Sequence, residues 1–201
     1  MRIYEASTTP SAKRVGLFLA EKGLEVERVS VDVRGGENLT EAFAAKSVNG
    51  RIPVLELDDG TTICESMAIC RYFDAQYPDD KHLFGDSALA VAQVEMWNRI
   101  IELQGLMVAF QAFRNITGIY KDRENCIAEW GYESKQRLEA FVPLLERRLA
   151  QVEYVAGGKF SVADITAYVT CGFLAALEIS LDSYPHIQRW YAQIGARPAF
   201  S

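Results

Sequence analysis

The sequence predicts an α/β domain followed by an all-α helical bundle. Three observations predict it. Short period-two apolar runs alternate with helical ones up to about residue 78. A break rich in proline, charge and glycine, PDDKHLFGD (78–86), follows. Beyond it apolar residues recur at helical spacing. The expected division is residues 1–78, a linker at 79–85, and residues 86–201.

RIYEA (2–6) reads as a first strand. PSAKRVGLFLAEKG (10–23) opens on Pro10 and closes on Gly23, the order that favours a helix between them, with Val15, Phe18 and Leu19 on one face. EVERVSVDV (25–33) carries Val29, Val31 and Val33 at period two and reads as a strand. LTEAFAAK (39–46) reads as a short helix. IPVLEL and TTIC, joined through DDG, read as a β-hairpin, and ESMAICRYFDAQY (65–77) as a helix. The order β-α-β-α-β-β-α implies one mixed sheet with helices on its faces. In the second half, residues 87–117 place Val91, Val94, Trp97 and Ile101 at helical spacing. Residues 122–151 read as another long helix, which Pro143 should kink or divide. FSVADITAYVTCGFLAAL begins with Ser161 and has Asp164 three residues on, a capping box, with Phe160 and Ile165 placed as a hydrophobic staple. YPHIQRWYAQIGARPAF supplies a last helix.

The 201 residues carry a net charge of −6. Bulk attraction to nucleic acid or anionic membrane is therefore disfavoured. No apolar run approaches a membrane span, and the start, MRIYEASTTPSAKR, lacks a signal peptide's apolar region, so a cytoplasmic protein is expected. Cys64, Cys70, Cys126 and Cys171 form no CxxC pair, and His82 and His186 are the two histidines. No transition-metal site is expected. Neither GxGxxG nor GxxxxGK[ST] occurs, which removes the usual support for dinucleotide or P-loop chemistry.

The chemistry-bearing residues cluster at three junctions of the first domain. Ser7, Thr8, Thr9 and Ser11 surround the start of the first helix, whose free N–H groups favour an anion such as a thiolate. Glu65 and Ser66 open a later helix. Ser66 can donate to a carboxylate and Glu65 can pair with an ammonium. Ile52, ahead of Pro53 at a strand start, offers an N–H and a C=O to an extended peptide. A ligand with a thiol, an amide backbone and an α-amino-acid end would satisfy all three. Taken one by one, these features also read as ordinary caps and turns; their order and spacing carry the site.

Over essentially its full length the chain resembles the cytosolic glutathione transferase superfamily. SAKRVGLFLAEKGLEVERV resembles the family's first helix and second strand. ENLTEAFAAKSVNGRIPVLELDDGTTICESMAICRYF resembles its glutathione-binding half, closest to the theta and phi classes. FSVADI resembles its capping box and RPAF its C-terminal segment. The resemblance implies a thioredoxin-like N-terminal domain, an all-α C-terminal domain, a homodimer, glutathione as co-substrate and no metal. It implies a cis Ile52–Pro53 bond and a γ-glutamyl site at Glu65 and Ser66. It puts Asn38 where a histidine often holds the glycine carboxylate, and Arg51 where Lys or Gln is common. SVNG (47–50) replaces the usual Asn-Pro-x-Gly.

Counting back from Val15, the thiol-activating serine position falls on Thr9, with Ser11 and Ser7 as alternatives. The strand position that Tyr-type classes use falls on Glu5, which leaves Tyr4 structural. The implied function is a glutathione S-transferase that stabilises the glutathione thiolate for attack on a small hydrophobic electrophile. That electrophile is expected between the domains, walled by Phe110, Phe113 and Tyr120. With one residue after RPAF, an open pocket is expected. The alternatives are a non-catalytic interaction module of the same fold, or a glutathione-dependent peroxidase, isomerase or dehalogenase.

Overall fold

The structure is a computed structural model that describes residues 1–200. They form two compact units, residues 1–82 and 83–200. In the first, β1 (Arg2–Glu5), α1 (Pro10–Lys22), β2 (Glu27–Ser30), α2 (Glu41–Ala44), β3 (Val54–Glu56), β4 (Thr62–Cys64) and α3 (Ser66–Gln76) follow in order. Among the described residues one four-stranded sheet forms, in the order β2-β1-β3-β4, with β1 and β2 parallel and the other pairs antiparallel.

Pleating sorts the side chains. Ile3 and Leu55, paired in register, are fully buried on one face; α1 and α3 pack against each other, with Val15, Phe18, Ile69 and Phe73 fully buried. Tyr4, Val54 and Cys64 lie on the other face, with Val31 and Phe43. Gly23 ends α1 in the left-handed conformation (φ 67°), where a side chain would be disfavoured.

Several elements differ from the sequence reading. The second strand ends at Ser30, not at residue 33, because its partner β1 ends at Glu5, the residue that pairs with Ser30. The segment read as one helix at 39–46 splits into a 3₁₀ turn, Glu37–Leu39, and α2, because Thr40 takes an extended conformation and caps α2 through Phe43 N–H.

The second unit contains α4 (Ala88–Ile101), a π-helical turn (Glu102–Leu106), α5 (Met107–Thr117), α6 (Ala128–Leu149), α7 (Val162–Cys171) and α8 (Pro185–Gly195). The π turn interrupts what the periodicity presents as one helix. Gly105 lies within it, and an added Cβ would sit 2.9 Å from the Phe141 ring and 3.1 Å from Thr170 Cγ2. The helix read from residue 122 begins at Ala128. Pro143 does not divide it: α6 continues through that residue, and the carbonyl of exposed Glu139, one turn back, loses its helical partner where water can replace it.

Asp164 organises this unit. It is completely buried, and its carboxylate accepts four bonds: from Val155 N–H (2.8 Å), Trp190 Nε1–H (2.9 Å), Ser161 N–H (3.0 Å) and the Ser161 hydroxyl (3.1 Å). The capping box is thereby formed, and both staple residues, Phe160 and Ile165, are buried. Burial pushes the Asp164 carboxyl up to about 6, against the hydrogen bonds that favour its charged form.

Asp164→Ala removes the cap and orphans two buried donors, Val155 N–H and Trp190 Nε1–H. Cap loss costs about 0.5–2 kcal/mol and each orphaned donor roughly 1–3, so denaturant unfolding should show a loss of about 3 kcal/mol or more. The folded-state pKa lies above the unfolded value of 3.8. Stability from this titration is therefore fully present below pH about 4 and lost as pH rises through about 6. The difference in stability between the unmodified protein and Asp164→Asn should change across that window; a constant difference would contradict the raised pKa.

Candidate functional site

The expected ligand-binding residues of the first unit gather around three chain segments. The first is the loop before β3. Ser47 is buried. Its Oγ accepts the Arg51 N–H (2.9 Å) and donates to the Arg51 carbonyl (2.8 Å). Asn49 Oδ1 also accepts the Arg51 N–H, at 3.1 Å. Gly50 holds φ at 64°, and an added Cβ would lie 3.3 Å from the Asn38 carbonyl. The Ile52–Pro53 bond is cis. Among the described residues no protein group pairs with the Ile52 N–H or C=O.

The second segment is the start of α3. Glu65 has φ 70° and ψ 122°, a sparsely populated conformation for a residue with a Cβ, and it is exposed. Asn49 Nδ2 donates to Glu65 Oε1 at 3.1 Å, so the loop and the helix start are joined through side chains. Ser66, the first residue of α3, is buried, and its Oγ accepts from Arg14 Nη1 at 3.1 Å. The first main-chain bond of α3 runs from Ile69 N–H to the Glu65 carbonyl, and Glu65 gives no side-chain cap. The leading N–H groups of α3 therefore have no side-chain cap among the described residues.

The third is the start of α1. Thr9 is its N-cap and provides no side-chain cap to the following N–H groups. Its hydroxyl donates instead to the Ala6 carbonyl at 2.7 Å. Ser11 is half-buried and Ser7 is exposed.

The remaining predicted residues have other engagements. Asn38 Nδ2 donates to the Gly50 carbonyl at 2.6 Å, while its Oδ1 is buried without a partner. One amide proton stays available, and the side chain anchors the loop that carries Arg51 and Ile52. The Arg51 side chain is exposed, and its backbone is what Ser47 and Asn49 hold. Tyr4 donates to Glu56 at 2.6 Å. That bond and Lys46 hold the Glu56 carboxyl down at about 2. Glu5 pairs with Arg28 at 2.8 Å, yet burial raises its pKa. In the second unit, Phe110 and Phe113 pack edge-on against Phe173, with centroids at 5.4 and 5.8 Å. The Tyr120 ring is faced by the guanidinium groups of Arg114 and Arg123.

Sequence reasoning missed Arg14, Ser47 and Asn49 as parts of this arrangement. The signal for Arg14 was present. It lies one turn before Phe18, on the apolar face of α1, and a charge there must find a polar partner.

Comparison with known proteins agrees with this geometry. The glutathione S-transferase N-terminal domain model matches residues 8–76, and the C-terminal domain model matches residues 128–198. The chain is 31% identical to glutathione S-transferase 2 of Saccharomyces cerevisiae, over 99% of this chain and 87% of that protein. It is 29% identical to GstB of Escherichia coli K12, over 98% and 94%. Among solved structures, a class Gtt2 glutathione S-transferase of Vibrio parahaemolyticus is 56% identical, covers 100% of this chain and 96% of its own, and superposes with a TM-score of 0.90. A glutathione S-transferase domain-containing protein of Marinobacter aquaeolei VT8 is 36% identical, with both chains fully covered and a TM-score of 0.95. The chain therefore belongs to the glutathione S-transferase family, with its thioredoxin-like and helical domains. It is a transferase of a family that uses glutathione as substrate.

The geometry of Glu65 generates a test. Its backbone strain is worth roughly 1–3 kcal/mol, against about 0.5–1 for the extra freedom of a glycine in the unfolded chain. Glu65→Gly should leave the unfolding midpoint unchanged or raise stability by about 1 kcal/mol. Calorimetry should show weaker glutathione binding in the same variant. A clear loss of stability would contradict the strain.

Proposed function

We propose that this protein binds reduced glutathione in its first unit and stabilises the thiolate for conjugation to a small hydrophobic electrophile, a detoxifying reaction. The carrying observation is Ser66. It is a buried hydroxyl at the start of a helix with open N–H groups, and a guanidinium already occupies one of its lone pairs. That arrangement presents donors to a carboxylate, the γ-glutamyl end of the peptide. Glu65 accepts the neighbouring ammonium, and the N–H and C=O of Ile52, beside Pro53, pair with the cysteinyl backbone. Arg51 and the remaining amide proton of Asn38 serve the glycine carboxylate. Phe110, Phe113 and Tyr120 are the aromatic residues assigned to the electrophile.

The thiol then falls near the start of α1. A thiol of pKa about 8.5 is only about 3% ionised at neutral pH, and lowering that value by two units requires roughly 2.7 kcal/mol. One hydroxyl donor to a charged acceptor supplies about 1.5–3 kcal/mol and the helix start up to about 1. Thr9 is the assigned donor, and to serve it must turn its proton from the Ala6 carbonyl to sulfur. Ser11 and Ser7 are the alternatives.

A homodimer is part of the proposal. Leu89, Met96 and Leu103 are exposed at intervals of seven residues along α4 and the π turn, a stripe that a second copy would cover. The four cysteines are free thiols, which supports a cytoplasmic setting. Among the described residues no helix is long and apolar enough to cross a membrane.

Ultraviolet titration of bound glutathione tests the reading. A thiolate band should be present near neutral pH, and its absence, with no turnover across a panel of electrophiles, would refute it. In Thr9→Val the bound thiol's pKa should rise by about one to two units, with little change in affinity, and conjugation at neutral pH should slow roughly ten- to a hundredfold. Ser11→Ala should do much less, and the reverse pattern transfers the role to Ser11. Light scattering should give about twice the chain mass of 22.5 kDa, falling to the single-chain value in Met96→Asp.

A further inference from the structure

Arg14 has no place in the ligand contacts above, yet it is 2% exposed and reaches from α1 to α3 to touch Ser66. A guanidinium carries donors and no acceptor, so in the 3.1 Å contact the Ser66 oxygen must be the acceptor. A hydroxyl has one proton and two lone pairs. With one lone pair held by Arg14, the Ser66 proton must point elsewhere. Among the described residues no acceptor for it is within hydrogen-bond distance, although Ser66 is 95% buried. A serine within a helix commonly turns its proton back to the carbonyl one turn earlier. Ser66 cannot, because it is the first residue of α3, and the residues three and four positions earlier, Ile63 and Thr62, belong to β4.

We propose that Arg14 is a positioning residue for glutathione. It fixes the Ser66 hydroxyl as a donor toward the ligand's γ-glutamyl carboxylate, so that this subsite accepts an acceptor-only, anionic group. The inference rests on Ser66 as the carboxylate site. Its physical content is one of polarity. Without Arg14 the hydroxyl can rotate, and its lone pairs are as available to the ligand as its proton. With Arg14 the proton is directed outward, and a permanent positive charge behind the oxygen strengthens the donation.

The test is a double-mutant cycle read by calorimetry with glutathione, on Arg14→Met, Ser66→Ala and the pair. Arg14→Met should weaken binding about tenfold or more, the worth of a hydrogen bond to a charge. In the Ser66→Ala background it should cost less than about threefold, because the group it orients is gone. Steady-state kinetics should show KM for glutathione rising while kcat stays within about threefold, a split that general loosening of the fold would not produce. Unchanged affinity in Arg14→Met, or effects of the two substitutions that multiply, would overturn the positioning role while leaving Ser66 in place. Unchanged affinity in Ser66→Ala would overturn both readings. Should Arg14→Met fail to fold, the structure of the unmodified protein with glutathione decides. Arg14 Nη1 on Ser66 Oγ, and Ser66 Oγ on the carboxylate, is expected; Arg14 turned away, or bonded directly to the ligand, overturns the proposal.

Discussion

Every α-helix begins with N–H groups that its own turns cannot pair, and this demand divides the scaffold of the protein from its site. Thr40 caps α2 and Ser87 caps α4. Ser161 and Asp164 close the start of α7. At α8, Glu146 of α6 reaches across to accept from His186 and Ile187 N–H, at 3.1 and 2.9 Å. These starts are finished, and those of α4, α7 and α8 belong to the helical unit; α6 begins there without a side-chain cap, at Ile127, whose own N–H is accepted by Asn115 Oδ1 at 2.8 Å. In the first unit α1 and α3 begin without side-chain caps, although Ala12, Ser66 and Met67 in their first turns are buried. An unfinished helix start favours an anion, and the proposed ligand carries a thiolate and carboxylates.

The loop between the two open helix starts is built for constancy. Ser47 grips both backbone groups of Arg51, Asn38 grips the Gly50 carbonyl, and Asn49 joins the loop to Glu65. Ile52 is thus held by its neighbours while its own polar groups stay open. Where the family usually has Asn-Pro-x-Gly, Ser47 supplies the clamp through a hydroxyl, and Val48, at the proline position, is 89% exposed and constrains nothing.

Features set by neighbours in sequence were legible, and those set by distant partners were not. Pro10 and Gly23 bracket α1 because each acts on its own backbone angles. Ser161 with Asp164 was readable for the same reason, but its two further partners, Val155 and Trp190, were not. The length of β2 depends on where β1 stops, and the engagement of Asn38 on a carbonyl twelve residues away. The resemblance assigned the thiol-activating position to Thr9, but no pattern could show its proton resting on Ala6. The true start of α6 was hidden because charged residues at 121–124 suit a helix surface as well as the turns they form after Gly118.

The π turn at Glu102–Leu106 works as a phase shifter. An α-helix advances about 100° per residue, so the extra residue accommodated there rotates everything after it by that amount relative to α4. Phe110 and Phe113 meet Phe173 on that rotated face, and Gly105 nests against Phe141. Loss of a single residue within 102–106 would restore a regular helix and swing both rings about a quarter turn away. A one-residue length change, with no aromatic altered, would thus redraw the aromatic face that meets Phe173. Relatives that differ by one residue in this stretch should therefore differ in which side chains meet Phe173.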